Sequence, residues 1–377
     1  MAEDKRKPEW AEDGANNEEF TTSVVKGVES SRVDDEPGDP GLDKKKCKRV
    51  KLNPENYIQG VLKGDRTILA RCITLIESNA RQHLNCAQKV LKKLLPHTGK
   101  SLRIGITGIP GAGKSSFIDC LGSMLCQDGL KPAVLAIDPS SNITGGSIMG
   151  DKTRMERLHQ KKDCFIRPSP TGGALGGVAR KTRETILVCE ASGFNVILVE
   201  TVGVGQSEVL VRSMVDFFLL ITITGAGDEL QNIKKGVMEN ADAILINKAD
   251  GDNILSSNRL KKDLNQVLHF LNSPSPFWKT GAFTCSSLKN EGIKEIWEEI
   301  LQFEKLSKKS GFFYERRKKQ AIDWMYSMVF EQLKSRFYDN ARVASALPGI
   351  EKQIYNGKLP PTSAAQKLLD ILDMNMG

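Results

Sequence analysis

An α/β fold, built on a doubly wound and mostly parallel sheet, is predicted by two features of the sequence. Short apolar runs rich in β-branched residues alternate with helical segments between residues 101 and 305. Such runs are typical of parallel strands that are covered on both faces. The run Gly108-Ile-Pro-Gly-Ala-Gly-Lys114-Ser115 fits G-x-x-x-x-G-K-[ST], follows an apolar run and precedes a helix-like segment at 116–125. Because this motif binds phosphate where it joins a strand to a helix, we predict a P-loop domain at 101–305.

Residues 1–53 precede the part of the chain that shows helix and strand patterns. Residues 1–43 contain thirteen acidic and five basic residues and few large apolar ones. Such a segment cannot bury enough surface to offset its ordering entropy, so we predict a disordered acidic tail. The basic run 44–51 is interpreted as a solvated linker, with a basic patch or a nuclear signal as the alternative. The acidic composition does not fit a mitochondrial presequence, which should be basic and poor in acids.

Residues 54–100 are predicted to form a helical segment ahead of the sheet. Apolar residues at helical spacing begin after Pro54 and stop at Gly64, and Asp65 is placed to cap a second helix. A third helix is predicted from about Ala80 to the residue before Pro96. These helices carry no chemical motif.

Six strands are predicted by short apolar runs, at 102–107, 133–137, 195–199, 216–223, 242–246 and 281–285. A further strand-like run, 164–167, is followed by the Gly-rich segment 168–177, which we interpret as a mobile loop, and a helix is expected from near Val178. In a doubly wound sheet, ligands bind outside the carboxyl ends of the strands. We therefore expect the functional residues in the loops that follow the strands.

The P-loop supplies the phosphate-binding part of the predicted site. Its glycines allow successive backbone N–H groups to point at phosphate oxygens, and the following helix adds its positive N-terminal end. Lys114 should reach the β- and γ-phosphates, and the Ser115 hydroxyl should bind Mg²⁺. The predicted phosphate-binding residues are Gly108, Ile109, Pro110, Gly111, Ala112, Gly113, Lys114, Ser115 and Ser116.

Three carboxylates are candidates for the Mg²⁺ site, together with Ser115. Asp138 ends the second predicted strand, although a turn or cap role is the alternative for it, and Asp151 lies in the Gly-rich segment that follows. Glu200 ends the apolar strand 195–199 and is followed three residues later by Gly203, which can present its N–H to the γ-phosphate. Mg²⁺ prefers oxygen ligands and keeps several waters, so these carboxylates can act directly or through water.

The residue that orients the attacking water is not identified by the sequence. Val204 follows Gly203, at the place where Ras-type GTPases keep a water-orienting Gln, and Val cannot orient water. Gln206 is a candidate, but no spacing assigns it. The segment 224–235 is Gly-rich and charged, and together with the segments 138–154 and 200–208 it is interpreted as a mobile switch beside the site.

The run Asn247-Lys248-Ala-Asp250 at a strand end predicts that the base is guanine. The Asp250 carboxylate can accept hydrogen bonds from N1–H and the 2-amino group of guanine, whereas adenine offers neither donor there. Ser286, Ser287 and Leu288 follow the last predicted strand and fit the loop whose N–H groups reach the guanine O6. With the P-loop upstream, this order predicts GTP rather than ATP.

Residues 306–377 are predicted to form a C-terminal helical extension. A long helix is expected at 312–338 and two short ones at 348–356 and 362–372. The apolar stripes of these helices either pack within the chain or form a dimerisation arm.

Composition argues against three other classes of protein. Although the net charge is +8, the basic residues are scattered, and the 6% of aromatic residues are not interleaved with them, so we expect no nucleic-acid binding. No apolar stretch reaches the length of a membrane span, so we expect no membrane association. The eight cysteines form no C-x-x-C and the four histidines are isolated, which gives no metal-ligand spacing and fits a reducing compartment.

Five runs together resemble a known protein family. They are G-I-P-G-A-G-K-S, A-I-D-P-S-S, R-P-S-P-T-G-G-A-L-G-G, V-E-T-V-G-V-G-Q-S-E and N-K-A-D. They are similar to the family of the methylmalonic aciduria type A protein, MeaB and ArgK, over about residues 54–372. The resemblance implies a homodimeric GTPase of the SIMIBI class that uses GTP and Mg²⁺. Its implied partner is adenosylcobalamin-dependent methylmalonyl-CoA mutase, for which it gates cofactor loading and which it protects or reactivates.

The resemblance also implies roles for individual residues. Lys114, Asp138, Glu200 and Lys234 are carried over as catalytic residues, and Asp151 as a further metal-shell carboxylate. Animal members of the family act in the mitochondrial matrix, yet no presequence is readable at this acidic N-terminus, so the cytoplasm is the alternative. Two other functions remain open: a small-molecule kinase or transport-associated ATPase, and a scaffold that binds GTP with negligible hydrolysis.

Overall fold

Seven parallel strands form the sheet at the centre of the structure, a computed structural model that describes residues 52–78, 80–138, 155–170, 175–201, 207–225, 235–271 and 273–373. The strands are β1 (Leu102–Gly108), β2 (Pro132–Asp138), β3 (Phe165–Pro170), β4 (Val196–Thr201), β5 (Phe217–Thr222), β6 (Ala243–Ile246) and β7 (Gly281–Thr284). Their order across the sheet is β3-β2-β4-β1-β5-β6-β7. Every neighbouring pair is parallel, which confirms the predicted doubly wound α/β fold.

The central strand β1 decides where a ligand can bind. It pairs with β4 on one side and with β5 on the other, so that β2–β4 lie in one half of the sheet and β5–β7 in the other. Where the strand order reverses in this way, a crevice opens at the carboxyl ends of the strands. The P-loop follows β1 at this point.

Two boundaries differ from the sequence prediction around residue 168. Strand β3 continues through Pro168 to Pro170, where a loop was expected, and Pro168 pairs with Ala136 of β2. Proline is tolerated there because β3 is an edge strand, whose outer N–H groups have no partner strand to bond. The following helix begins at Leu175 rather than near Val178.

The described residues contain thirteen α-helices. They are α1 (Pro54–Leu62), α2 (Arg66–Glu77), α3 (Arg81–Leu94), α4 (Lys114–Gln127), α5 (Glu156–His159), α6 (Leu175–Ala191), α7 (Ser207–Arg212), α8 (Lys235–Met238), α9 (Ile254–Phe270), α10 (Ile293–Lys309), α11 (Phe312–Tyr338), α12 (Ala341–Tyr355) and α13 (Pro361–Asp373). None of these helices is long and apolar enough to cross a membrane.

The first of the two short C-terminal helices is longer than predicted. It begins at Ala341 rather than at 348, because the Asn340 side chain caps it by accepting hydrogen bonds from the N–H groups of Arg342 and Val343 at 3.0 and 3.3 Å. Pro348 lies inside the helix and does not start it.

Helices cover both faces of the sheet. On one face, buried residues of α1–α3 such as Ile73 and Val90 pack with Leu135 and Val199 of the strands. The Asp65 side chain caps α2, as predicted, by accepting from the N–H of Thr67 at 2.8 Å. On the other face, α4 and α10 pack on the sheet, and Phe303 meets Phe217 edge to face at 5.1 Å between ring centroids.

A buried ion pair attaches the long helix α11 to the amino end of the sheet. Arg317 donates to both carboxylate oxygens of Asp216, at 2.7 and 2.6 Å, and to the carbonyl oxygens of Gly99 and Ser101. Asp216 is 3% exposed and also accepts from the backbone N–H of Arg103 at 2.8 Å. This pair therefore ties α11, β1 and β5 together at the end of the sheet opposite the P-loop.

We expect Asp216→Ala to lower the free energy of unfolding by about 3–5 kcal/mol, because it leaves Arg317 buried without its charge partner. Urea denaturation followed by circular dichroism measures the loss. Glu315→Ala is the matched control, since the Glu315–Lys318 pair is about 70% exposed on each side and should contribute no more than about 1 kcal/mol. Equal losses in the two variants would contradict this account of how α11 is held.

Candidate functional site

The loop after β1 has a backbone shape that requires glycine at two places. Gly108 has φ 151°, and a Cβ there would lie 2.0 Å from the carbonyl oxygen of Ile221. Gly113 has φ 82°, and a Cβ there would lie 2.6 Å from Asn247 Nδ2. Helix α4 begins immediately afterwards, at Lys114. The loop and the helix N-terminus together form the arrangement that binds phosphate.

Lys114 is buried at the centre of this loop, with 8% of its surface exposed. Its Nζ donates to the carbonyl oxygens of Gly108 and Ile109, at 2.9 and 3.1 Å. Burial lowers the pKa of Lys114, and the carboxylates of Glu200 and Glu208 oppose that shift. The ammonium group is thus held at the loop mouth, where it can exchange a carbonyl for a phosphate oxygen.

Ser115 and Glu200 meet beside Lys114. The Ser115 hydroxyl donates to Glu200 Oε1 at 2.8 Å, and Glu200 is 4% exposed on β4. Register places Glu200 opposite Ile106 of β1, near the point where the strand turns into the loop. A hydroxyl and a carboxylate oxygen side by side are hard oxygen donors of the kind that Mg²⁺ prefers, so this pair fits that ion.

The remaining candidates for the metal and hydrolysis sites are placed only in part. Asp138 is the last residue of β2. Because β2 and β4 are neighbouring parallel strands, their carboxyl ends lie side by side at the same end of the sheet. Asp151, Gly203 and Lys234 lie outside the described residues, as do Val204 and Gln206. Their predicted roles therefore remain predictions.

Asn247 joins the P-loop to the loop after β7. It is 1% exposed, and its Nδ2 donates to the carbonyl oxygens of Ala112 and Gly113 at 2.8 and 3.4 Å. Its Oδ1 accepts from the Ser287 N–H and hydroxyl, at 3.2 and 2.9 Å, and from the Cys285 thiol at 3.3 Å. The predicted phosphate and base sites are therefore held in fixed relation by one amide.

Asp250 lies at the base end of the site. The hydroxyl of Ser286 donates to Asp250 Oδ2, and the N–H of Lys289 donates to that hydroxyl at 3.1 Å. Lys248 has φ 58°, an uncommon conformation for a residue other than glycine. The N–H of Ala249 bonds the carbonyl oxygen of Cys285 at 3.0 Å, which ties this turn to the loop after β7.

Some of these residues line a cleft of about 400 Å³. Its walls include Gly113, Ser116, Asn247, Lys248, Asp250, Ser287 and Leu288, all of which the sequence predicted as GTP-binding residues. It is also lined by four residues that the sequence reasoning missed: Asp119, Cys120, Arg157 and Asn253. The Cys120 thiol donates to the Ser287 carbonyl oxygen at 2.9 Å. Arg157 lies 3.4 Å from Asn290 Oδ1 and 4.0 Å from Asp119 Oδ2.

A periodicity argument could have found two of the four missed residues. Asp119 and Cys120 come four residues after Ser115 and Ser116 on α4, so they lie on the same face of the helix. Arg157 gives no such signal, because its short helix α5 reaches the cleft only through tertiary contacts. One of these is the hydrogen bond from the Leu158 N–H to Asp119 Oδ1 at 2.8 Å.

A family model described as "Methylmalonyl Co-A mutase-associated GTPase MeaB" matches residues 69–342. The matched range includes both the P-loop and Asp250. It also includes the long helix α11.

Known relatives and a solved structure agree with this match. The chain is 48% identical over 318 residues to a putative GTPase of Caulobacter vibrioides, which covers 84% of this chain and 97% of that protein. It is 41% identical over 320 residues to the "Methylmalonic aciduria type A homolog, mitochondrial" of Mus musculus, covering 82% of this chain and 77% of that protein. The crystal structure of a protein named "LAO/AO transport system kinase" has a TM-score of 0.70 at 34% identity, covering 86% of this chain and 100% of that chain.

We expect Asp250→Asn to reverse the base preference from guanine to xanthine. Xanthine carries a carbonyl where guanine has its 2-amino group, so an amide can donate there, whereas a carboxylate is repelled. Loss of two charge-assisted hydrogen bonds should weaken GTP binding by about 100-fold or more.

Competition of GTP and XTP for a fluorescent nucleotide analogue measures the change. Asp252→Asn is the matched control, because Asp252 is exposed two residues away and does not line the cleft. Unchanged GTP affinity in Asp250→Asn would remove the guanine assignment.

Proposed function

We propose, from the premise that the chain belongs to the MeaB family of GTP-hydrolysing proteins, that it is a GTP-dependent chaperone of adenosylcobalamin-dependent methylmalonyl-CoA mutase. Membership is shown by the family model, and the partner is the one that the family description prints. In this proposal the chain gates cofactor loading and protects or reactivates the mutase.

The observation that carries the proposal is the hydrogen bond between Ser115 and Glu200. It joins the phosphate loop to the end of β4, where the segment 200–208 begins, which we interpret from the sequence as a switch. A change in the phosphates held by the P-loop therefore reaches this segment through one contact. Switch segments of GTPases are held by the γ-phosphate and its metal and are released on hydrolysis.

In the proposed site each residue has a separate task. The backbone N–H groups within residues 108–116, of which Pro110 has none, and the Lys114 ammonium bind the phosphates. Ser115 and Glu200 would hold Mg²⁺, to which Asp138 and Asp151 would contribute directly or through water. When bound, Mg²⁺ neutralises charge on the β- and γ-phosphate oxygens. Lys234, in the segment 224–235, is a further catalytic residue. Asn247, Lys248, Asp250 and residues 286–288 hold the guanine.

Slow intrinsic hydrolysis follows from Val204 in this proposal. A valine cannot orient water, so the partner completes the site or orders another group, such as Gln206, that does so. Binding of the mutase should then accelerate hydrolysis, and hydrolysis should release the mutase.

The two rival functions differ in what they predict about the base and the rate. The name of the solved relative, a transport system kinase, suggests a kinase or transport ATPase, but the Asp250 site offers an acceptor where adenine has no donor. A scaffold with negligible hydrolysis would share every binding residue. Rate measurements therefore separate it from a chaperone, and binding measurements do not.

We also propose that the chain forms a homodimer through α11. Six large apolar side chains between positions 322 and 333 of this helix are between 45% and 68% exposed: Ile322, Met325, Tyr326, Val329, Phe330 and Leu333. Their spacing of three and four residues places them in one stripe along the helix. A contiguous exposed apolar stripe of this kind is typical of an interface, and the second copy of the same chain is the simplest partner with a matching stripe.

The compartment is proposed to be that of the mutase. The mouse relative is named as mitochondrial, so the mitochondrial matrix is the first candidate for this chain, and the cytoplasm is the alternative.

We expect the purified chain to hydrolyse GTP slowly, to hydrolyse ATP negligibly, and to turn over GTP faster when methylmalonyl-CoA mutase is added. Phosphate release at saturating nucleotide, with and without the mutase, measures all three. A GTP rate unchanged by saturating mutase would refute the proposed chaperone cycle. Binding without turnover in either condition would support the scaffold instead.

We expect Phe330→Asp to convert a dimer into a monomer, because a buried unpaired charge would replace an apolar contact at the centre of the stripe. Sedimentation velocity at a fixed protein concentration measures the change in mass. Ser327→Asp is the matched control, since it introduces the same charge on α11 outside the apolar stripe. A monomeric wild-type chain, or a dimer that survives Phe330→Asp, would rule out this interface.

A further inference from the structure

The short helix α7 lies between the nucleotide site and the residues that contact α11. It has six residues, Ser207–Arg212, and is therefore about 9 Å long. Glu208 in its first turn is 5% exposed, and Val211 of α7 packs on β1 three residues before the P-loop, since a Cβ on Gly105 would lie 2.7 Å from Val211 Cγ1. The Glu208 carboxylate also opposes the effect of burial on the pKa of Lys114. Helix α7 therefore packs on the strand that carries the P-loop and its lysine.

The other end of α7 is held by buried charged and polar groups. Arg212 donates to both carboxylate oxygens of Asp242, and Asp242 is fully buried. Ser213, the residue after α7, is bonded by Arg183 of α6, which donates to its carbonyl oxygen at 3.0 Å and to its hydroxyl at 2.6 Å. This end of the helix is thus fixed to two neighbouring elements.

The same groups contact α11. Arg183 Nη1 donates to the carbonyl oxygen of Gln320 at 2.9 Å. The Gln320 side chain in turn donates to the carbonyl oxygens of Val215 and Arg212, at 2.9 and 3.4 Å. Arg316, one turn earlier on α11, lies 3.9 Å from the Asp242 carboxylate that holds Arg212. Helix α11 therefore reaches the end of α7 by three routes.

The contact between Arg183 and α11 is incompletely satisfied. The guanidinium of Arg183 lies 5.5 Å from the centroid of the Trp324 ring. Among the described residues, neither Arg183 Nε nor Trp324 Nε1 has a hydrogen-bond partner, although both atoms are buried. A buried donor without a partner costs free energy. A displacement of α11 that gave these two donors partners would therefore cost less than a displacement that broke a network in which every hydrogen bond was made.

We infer that Arg183 and Gln320 are positioning residues that couple α11, through α7, to Lys114. Movement of α11 then displaces the end of α7, and the helix transmits the displacement to Glu208. The stripe Ile322–Leu333 lies on the same helix, so whatever covers that stripe acts on hydrolysis through these two residues. The inference rests on the proposed phosphate-binding role of Lys114 and does not depend on the mutase.

The first test is steady-state GTP hydrolysis by the full chain carrying Arg183→Gln or Gln320→Ala. We expect kcat to fall by about fivefold to tenfold and KM for GTP to change less than about twofold, because the P-loop that binds the nucleotide is untouched. Lys318→Gln is the matched control. Lys318 forms an exposed ion pair with Glu315 on α11, and its replacement by Gln removes one positive charge, as Arg183→Gln does. Gln320→Ala removes only a neutral side chain and keeps the test valid if Arg183→Gln does not fold.

The second test is reciprocal, because coupling between two sites acts in both directions. Binding of a non-hydrolysable GTP analogue should shift the Trp324 emission of the wild-type chain, identified as the signal lost in Trp324→Phe. That shift should be abolished in Gln320→Ala. A kcat like that of the control in both variants, or an unaltered Trp324 shift in Gln320→Ala, would overturn the inference. Hydrolysis retained by Lys114→Ala would instead overturn the proposed site, whatever the other variants do.

Discussion

The side-chain amide of Asn247 is the contact on which the geometry of the nucleotide site depends. Its two ends face different loops, with the donor end on the P-loop carbonyls and the acceptor end on Ser287 and Cys285. Because Asn247 is 1% exposed, water cannot replace either set of bonds, and the loss of one set would leave buried polar groups unpaired. The requirement for glycine at 113 has the same origin, since a Cβ there would collide with this amide. The predicted phosphate and base sites are therefore held at a fixed distance from each other.

At the opposite end of the sheet, buried carboxylates hold neighbouring elements in position. Asp216 and Asp242 precede β5 and β6 and hold the arginines of α7 and α11. Pairs of this kind add little net stability compared with apolar packing, but removal of one partner is costly, so they fix which elements meet. Helix α11 is consequently attached to the same strands whose other ends carry the nucleotide loops. A rigid sheet thus separates a binding end from an attachment end.

Contiguous motifs and short-range patterns in the sequence predicted the fold and the binding loops. Contacts between residues far apart in the sequence were not predicted. The P-loop and Asn247–Asp250 are contiguous motifs, and Gly113, Ser116, Asn247, Lys248 and Asp250 of these motifs line one cleft. Strand β3 extends beyond residue 167 into the Gly-rich segment that the sequence indicates as a loop, and its place at the edge of the sheet is what allows Pro168 and Pro170 in a strand. Arg183 bonds residues 30 and 137 positions away, and Arg157 and Glu208 likewise act on distant residues, so no spacing rule could have assigned them. Asp151, Gly203 and Lys234 lie outside the described residues and stay predictions.

The surroundings of Lys114 indicate where hydrolysis can be controlled. Burial lowers its pKa, and two carboxylates oppose that effect. One of them, Glu200, belongs to β4, which is hydrogen-bonded between β1 and β2 and cannot move without disrupting the sheet. The other, Glu208, belongs to a six-residue helix whose far end is held by side chains from α6, α11 and Asp242 and by the packing of the buried Val211 in the core. Helix α11 therefore contacts the helix that carries the second carboxylate, whereas the first is fixed by the sheet. Control of the GTPase by contacts on α11 follows from this difference in how the two carboxylates are anchored.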